Sequence, residues 1–460
     1  MSTRLQIPEG FTKRWTHLRH HAQQSAYRYS DSRYVVLPCG RRSGKTEIGK
    51  RRRVARAVYA DPKWPDWKAF CAAPTQDQAK RIFWNDIKAM IPAALRPVAR
   101  DSNPPMIEFD NLVGGRSQIW IIGLDKPARI EGSPWNDCII DEFGNVKAEA
   151  WGANIRPALS DRKGTADLTG VPEGRNHYYH QYNFAKANPT GEWSTYHWKS
   201  AEILDAAEIA AAKLELDEMT FRQEYEADFL NFTGRAYYAY DEKIHEAELK
   251  YDADAPLIVC LDFNVAPGIA VICQEQPLPT PLAEKAKRWG DPPPSATGII
   301  GEVWIKQNSN TPAVCRKILA DWGQHRGRVE VYGDATGGAK GSAKVMGSDW
   351  DLVKATLNPH FGSRISYHVK SHNPAERARV NAVNSRLLSA AGVVRMMLDP
   401  RQAPKLKQDL EGVRLLEGGS GEIDKDADPE LTHLSDALGY YVERRFPAGG
   451  ETVTVSRLLL

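Results

Sequence analysis

A chain of 460 residues with 42% hydrophobic and 26% charged side chains is about three times the length of a typical domain and has the apolar mass for real cores, which excludes a single small module and wholesale disorder. The formal net charge of +3 is too small to specify a nucleic-acid partner and leaves that task to local basic surfaces. No apolar run approaches the ~20 residues of a membrane span, the opening residues carry charge where a secretory core would be apolar, and the scattered Cys39, Cys71, Cys138, Cys260, Cys273 and Cys315 fit reduced, buried thiols rather than a disulfide framework or a zinc site.

Residues 34–38 are an apolar, β-prone run leading into Cys39-Gly40-Arg41-Arg42-Ser43-Gly44-Lys45-Thr46, and residues 46–59 then mix basic and apolar side chains as a helix does. Strand, glycine loop and helix in that order are the setting of a phosphate-binding loop. Backbone N–H groups of the loop and helix N-terminus face the β-phosphate, Lys45 brings charge to the β/γ oxygens, and the Thr46 hydroxyl can hold Mg²⁺. Gly40, Arg41, Arg42, Ser43, Gly44, Lys45 and Thr46 are therefore candidate ATP ligands, and a guanidinium of Arg41 or Arg42 can stabilise charge on the γ-phosphate. The strict G-x-x-x-x-G-K-[ST] pattern would place its first glycine where this chain has Cys39. The cluster Lys50, Arg51, Arg52, Arg53 and Arg56 reads as a solvated or structural helix face, with an approach to nucleic acid as the alternative.

Residues 67–73 are a second strand, Pro74-Thr75 a turn and cap for a long helix reaching Met90, and residues 107–109 and 117–122 a hairpin closed at Val113-Gly114-Gly115. Residues 137–140 form an apolar strand ending in Asp141 and Glu142. ATP hydrolysis uses such a pair, Asp141 for the metal and Glu142 to polarise the attacking water. Residues 168–172 place Thr169 at a strand end, where a γ-phosphate sensor can sit. Repeated strand and helix alternation implies an α/β sheet with helices on both faces.

The pattern shifts over residues 229–240 and a fresh strand starts near Pro256, which gives a first domain of 1–230, a linker region of 231–255, a second α/β domain of 256–446 and a flexible tail of 447–460. The second domain reads as strands 257–263, 269–275 and 296–305, helix 312–325, strand 329–332 and later helices, with the Pro-rich stretch 276–295 as a surface loop. Asp262 and Asp334 stand at the ends of apolar strands, and Asp436 lies on an amphipathic helix. Carboxylates at buried strand ends are costly unless a cation shares them, and three of them can bind two Mg²⁺ or Mn²⁺ ions ~3.5–4 Å apart to hydrolyse a phosphodiester. Glu302 is an accessory candidate; Lys370, Arg377, Arg379 and Arg386 are candidate contacts to a DNA backbone, with a solvated helix face an equal reading of Arg379 and Arg386. The acidic stretch 422–430 is either looped away from DNA or helps to hold metal.

The ordered strings Gly40 to Thr46, Ala73-Pro74-Thr75, Ile139-Ile140-Asp141-Glu142-Phe143, Thr169-Gly170-Val171-Pro172-Glu173-Gly174, Phe221-Arg222-Gln223-Glu224-Tyr225, Asp262, Asp334 and Asp436-Ala437 together resemble the large terminase subunit of tailed bacteriophages. The resemblance implies an N-terminal P-loop ASCE-type ATPase domain and a C-terminal RNase H-like nuclease domain. By the same resemblance Lys45 and Thr46 match the Walker A lysine and hydroxyl, Asp141 and Glu142 the Walker B pair, Thr169 the coupling motif, and Arg41 the loop arginine acting on the γ-phosphate. Gln23 or Gln24 would read adenine, Asp262, Asp334 and Asp436 would be the nuclease acids, and Arg81 and Arg129 are candidates for a trans-acting finger. Implied partners are ATP with Mg²⁺, double-stranded DNA, a small terminase subunit and a portal protein contacted by the tail. A pentameric ring in the host cytoplasm, with no membrane, is the implied setting. A helicase-nuclease of DNA repair or recombination would use the same two chemistries, and a non-catalytic nucleotide- and DNA-binding virion assembly component would bind both ligands without turnover.

Overall fold

The computed structural model describes residues 21–230, 234–263, 267–277, 295–307, 309–335, 348–416, 421–428 and 430–448. Most of the Pro-rich stretch and of the tail lies outside the described residues. The chain divides into two compact units, one comprising Met1–Ala206 with Arg222–Leu230 and the other Ala207–Phe221 with Asn231–Leu460. Residues 207–221 thus group with the C-terminal unit although they precede the end of the N-terminal one.

In the first unit the apolar runs become strands buried along their length, β1 (Tyr34–Pro38), β2 (Lys68–Ala73), β6 (Asp137–Ile140) and β7 (Thr165–Gly170). With β3 (Val98–Arg100), β4 (Met106–Asp110), β5 (Arg116–Gly123) and β8 (Trp193–Thr195) they form one sheet of order β3-β4-β5-β2-β6-β7-β1-β8. From β5 to β8 every neighbouring pair is parallel; β4 returns antiparallel on β5, the expected hairpin, and β3 antiparallel on β4. Side chains alternate between two cores: Val36, Phe70, Cys138 and Ile140 enter one, Cys71, Ala73, Ile119 and Ile139 the other. Both faces are therefore covered, as a parallel sheet requires. The register aligns Pro38 with Gly170 and Ile140 with Leu168, so the loops after β1, β6 and β7 emerge at one edge, the place where open α/β sheets bind ligands.

The helix Lys45–Tyr59 packs so closely on the sheet that a Cβ on Gly49 would lie 2.3 Å from Ile139 Cδ1. Its basic cluster is structural. Arg53, wholly buried, spans Asp137 (2.6 Å) and Asp167 (2.5 Å), Arg52 donates to the carbonyls of Tyr27 (2.5 Å) and Ser30 (2.8 Å), and Arg56 reaches Thr165 Oγ1 at 2.6 Å. The helix expected to run to Met90 opens with a Thr75 capping box, becomes π-helical over Lys80–Trp84 and resumes at Asn85–Met90.

The second unit is built on a six-stranded sheet of order β14-β13-β10-β11-β12-β15, with β10 (Leu257–Asp262), β11 (Gly268–Pro277), β12 (Ser295–Ile305), β13 (Val329–Gly333), β14 (Ile365–Tyr367) and β15 (Met396–Leu398). β10, β11 and β12 form an antiparallel meander, β13 lies parallel to β10, β14 parallel to β13 and β15 parallel to β12. Residues of the helices Thr311–Trp322 and Asp349–Phe361 pack into one core, and residues of Glu376–Leu387, Pro404–Gly412 and His433–Arg445 into the other. A short ribbon pairs β9 (Gly234–Arg235) with β16 (Arg414–Leu415).

Candidate nucleotide and divalent-cation sites

The loop after β1 is held open from outside. Cys39 N donates to Gly170 O (3.1 Å), Gly40 N to Trp198 O (3.0 Å) and Arg41 N to Glu224 O (2.6 Å); Arg41 O accepts from Ser200 Oγ (2.6 Å), and Ser43 O from Gln24 Nε2 and Trp198 Nε1 (both 2.9 Å). Three of these bonds use the N–H groups of residues 39–41 and three fix the carbonyls of Arg41 and Ser43, so neighbouring segments set the shape of the loop. Two positive φ angles, 58° at Arg42 and 80° at Gly44, make the turn. Gly40 is required by contact: a Cβ there would fall 2.4 Å from Ser200 Oγ and 2.7 Å from Tyr225 O. Lys45 is buried at the helix start, and Gly44 leaves the first-turn N–H groups without a side-chain cap, free for an anion. Arg41 is exposed and pairs with Glu224.

Of the two glutamines, Gln24 is buried against the loop and Gln23 is exposed. Gln24 spends Nε2 on Ser43 O and turns Oε1 to His21 N (3.4 Å). Arg81 is exposed on the π-helical segment, and Arg129 is bonded to Asp125 (3.1 Å).

Asp141, buried just past β6, joins the motifs: one oxygen accepts from Thr46 Oγ1 (2.9 Å), the other from Thr169 Oγ1 (2.7 Å). β7 lies between β1 and β6, so it presents Thr169 to an aspartate that also meets the loop. Glu142 adopts φ 51° and rests its backbone against Gly170, where a Cβ would be 3.3 Å from Glu142 Cα. Burial, opposed by Lys45 and Arg41 and aided by the charge of Asp141, raises the Glu142 carboxyl above its ordinary value. The arrangement sets the buried charge of Lys45 beside two oxygen groups able to hold Mg²⁺, those of Thr46 and Asp141, and beside Glu142, a carboxyl with a raised pKa that could accept a proton.

In the second unit Leu261 pairs with Gly333, so Asp262 and Asp334 follow one another across adjacent parallel strand ends. Asp436 lies in the first turn of the helix His433–Arg445, one turn before Tyr440. The Tyr440 phenol is raised by burial, against Arg379, and by the charges of Asp262, Asp334 and Asp436, so all three carboxylates lie within electrostatic reach of one side chain. Such an all-oxygen donor set suits Mg²⁺ or Mn²⁺, and the cations set against Asp436, Arg379 Nη1 at 2.9 Å and Lys425 Nζ at 3.5 Å, mark a place that demands positive charge. Among the described residues only Glu242, Glu246 and Glu411 bring ligand atoms all within 4.8 Å of one another, and Lys407 already bridges them.

Three polar partners of this site had no sequence signal. Asn373 Nδ2 donates to Asp334 Oδ1 (2.6 Å) while its own Oδ1 accepts from Ala335 N (2.8 Å), fixing that carboxylate. Buried Asp409 accepts from Ser435 N (2.9 Å) and so caps the helix that carries Asp436. Lys425 arrives from the acidic stretch. Other candidates serve elsewhere. Glu302 accepts from Lys405 N (2.9 Å) and Leu406 N (2.8 Å), capping the helix Pro404–Gly412. As DNA contacts Lys370, Arg379 and Arg386 are corrected to internal ion pairs: Lys370 holds both oxygens of Glu443, Arg379 faces Asp436, and buried Arg386 bonds Glu275 and Thr297, each at 3.0 Å.

The first unit is a largely parallel α/β sheet with a glycine loop after β1, and the second a six-stranded mixed sheet with helices on both faces. Residues 37–243 match the family model described as the N-terminal part of the T4likevirus-type terminase large subunit. The large terminase subunit of Thermus virus P23-45 is 24% identical over 278 residues, covering 53% of this chain and 55% of its own length; that of Escherichia phage T5 is 24% identical over 223 residues, covering 47% and 49%. The chain thus spans about half the length of the curated relatives it matches. Among solved structures, the large terminase of a thermophilic bacteriophage aligns with a TM-score of 0.59 at 12% identity over 92% of this chain and 98% of its own, a likeness of fold. In sequence over its N-terminal half and in fold over most of its length, the chain is similar to the large terminase subunits of tailed bacteriophages.

Proposed function

We propose that this chain is a phage terminase large subunit, a motor that hydrolyses ATP to move double-stranded DNA into a procapsid and a nuclease that cuts the concatemer. The observation that carries the reading is the shared Asp141 carboxylate, bonded at once to Thr46 of the loop and Thr169 of the neighbouring strand. Residues 1–230 are assigned to the motor, 256–446 to the nuclease, 231–255 to the connection and 447–460 to a contact with the portal protein. The small terminase subunit, the portal and a pentameric ring in the host cytoplasm complete the proposal.

In the motor, the loop N–H groups and Lys45 bind and orient the phosphates, and Arg41, released from Glu224, offsets charge on the γ-phosphate. Glu142 accepts the proton of the attacking water. Loss of the γ-phosphate changes what Asp141 and Thr169 share, which is a route from chemistry to motion. Mg²⁺ at Thr46 and Asp141, and two Mg²⁺ or Mn²⁺ at Asp262, Asp334 and Asp436, would supply charge neutralisation and an activated water. Asn373 and Asp409 hold two of the nuclease carboxylates in place.

Plasmid cleavage in Mn²⁺ and Mg²⁺, with DNA-stimulated ATPase measured on the same preparations, tests both halves. Asp262→Asn and Asp436→Asn should abolish cutting and leave ATPase intact, whereas Lys45→Ala and Glu142→Gln should do the reverse. Cutting that survives both aspartate changes would remove the nuclease assignment; ATPase that survives Lys45→Ala would remove the motor. Unwinding of a duplex with a free single strand would favour a repair helicase.

A further inference from the structure

One segment of the second unit brings a positive charge to the acid cluster from far along the chain. Residues 414–416 and 422–424 pair as a hairpin, with Leu416 N donating to Glu422 O (2.8 Å) and Asp424 N to Arg414 O (2.9 Å). Buried Ile423 anchors it in the core and donates its N–H to Glu376 Oε1 (2.7 Å). Two residues on, Lys425 places its ammonium between two carboxylates, 2.9 Å from Glu376 Oε2 and 3.5 Å from Asp436 Oδ2.

Asp436 thus faces two cations of different character. Arg379 is buried, lies 4.5 Å from the Tyr440 ring centroid and is packed so tightly that a Cβ on Gly439 would come within 3.1 Å of its own Cβ. Moving it would strand a guanidinium in the interior, which costs several kcal/mol. The Lys425 side chain is 50% exposed, has water beside it, and is already closer to a second acceptor. It can leave Asp436 without being stranded.

We propose that Lys425 is a displaceable counter-ion of the divalent-cation site: it balances Asp436 while no metal is bound and withdraws onto Glu376 when metal binds. The inference rests on reading Asp262, Asp334 and Asp436 as that site. Glu376 is suited to receive the charge because its other oxygen stays on Ile423 N, so the hairpin keeps its place as the ammonium shifts. Metal loading is then a competition, and removing Lys425 tightens it. Exposed ion pairs are worth ~1 kcal/mol or less, so the expected gain is about three- to fivefold in affinity.

The test is calorimetric titration of the full chain with Mn²⁺ in an Asp141→Asn background, which silences the nucleotide site, with melting temperature recorded with and without Mn²⁺. Lys425→Ala should bind Mn²⁺ about three- to fivefold more tightly, melt lower than its parent without metal and gain more from adding it; Lys425→Arg should stay within about twofold of the parent. Unchanged or weaker Mn²⁺ binding by folded Lys425→Ala, or equal tightening in Lys425→Arg, overturns the proposal. Asp436→Asn separates the two levels. If it binds Mn²⁺ like the parent, the site itself is lost and the counter-ion with it; if it loses Mn²⁺ while Lys425→Ala is unaltered, only the counter-ion fails.

Discussion

Thr169 Oγ1 lies 2.7 Å from Asp141 Oδ1, across the boundary between two neighbouring strands. A hydrogen bond to an ionised carboxylate is worth ~1.5–3 kcal/mol, and in the proposed function it links the sensor position to the residue proposed to hold metal rather than to the nucleotide itself. Thr169→Val should therefore lower kcat for ATP about tenfold or more while KM moves by less than about threefold, and Thr169→Ser should restore most of the rate. Steady-state ATPase measurements decide it: wild-type kcat in Thr169→Val would detach Thr169 from catalysis.

Glu142 combines a buried, raised carboxyl with a left-handed backbone. The proton-accepting form exists above the folded pKa, so kcat should fall as pH is lowered through that raised value. The stability sign is opposite. A carboxyl raised on folding stabilises at low pH and loses that contribution as pH rises through its folded pKa. Glu142→Gln should thus melt higher than wild type at neutral pH, lose that advantage in acid, and lose roughly 100-fold or more in kcat. A lower melting temperature at neutral pH would contradict the burial argument.

How much was legible from residue order follows from how local each feature is. The loop, Asp141, Glu142 and Thr169 announced themselves because each stands at the end of an apolar run, and a run is a local property. The insertion of β7 between β1 and β6 is a pairing over long sequence separation, and β8, β14 and β15, three residues each, are too short to show a period. Charge was visible but its destination was not. Arg53 is buried because Asp137 and Asp167 await it, Arg386 because Glu275 does. Asn373, Asp409 and Lys425 serve the acid trio through contacts that no spacing in the chain encodes.

Arg53 offers a direct measure of that hidden charge. It is 0% exposed and carries two carboxylates, Asp137 and Asp167. Removing one member of a buried ionic group leaves the others uncompensated, at ~3–5 kcal/mol. Arg53→Met should cost that much in urea-induced unfolding, more than Arg51→Met, whose partner Glu47 lies on the same helix one turn away. A loss below about 1 kcal/mol for Arg53→Met would mean the network relaxes, contrary to its geometry.

Cys39 stands where the strict loop pattern has glycine, yet it is fully buried with Tyr27, Val35, Leu37, Ile48 and Trp198. Burial pushes its thiol up, so it behaves as an apolar group rather than a nucleophile. Cys39→Gly would empty that space and loosen the chain before the loop, at ~1–2 kcal/mol. Restoring the pattern should therefore lower the melting temperature without tightening ATP binding. Tighter binding by Cys39→Gly in a nucleotide titration would show that Cys39 constrains the loop.

Asp409 sits beneath the helix of Asp436, and burial, eased by donors from Ser435 and Leu434 and reinforced by the Asp436 charge, pushes its carboxyl up to about 7. Its unfolded value is about 3.9, so folding takes up a proton between about pH 4 and 7 and this residue's contribution falls across that window by ~1.4 kcal/mol per pH unit. Asp409→Asn keeps an acceptor for Ser435 N without the charge. Relative to wild type, the variant should gain roughly 1–3 kcal/mol in urea unfolding between pH 5.5 and 7.5, whatever its stability at the lower pH. An identical gap at both pH values would mean that Asp409 is ionised throughout, its charge carried by the Ser435 and Leu434 donors at the helix N-terminus rather than by a proton.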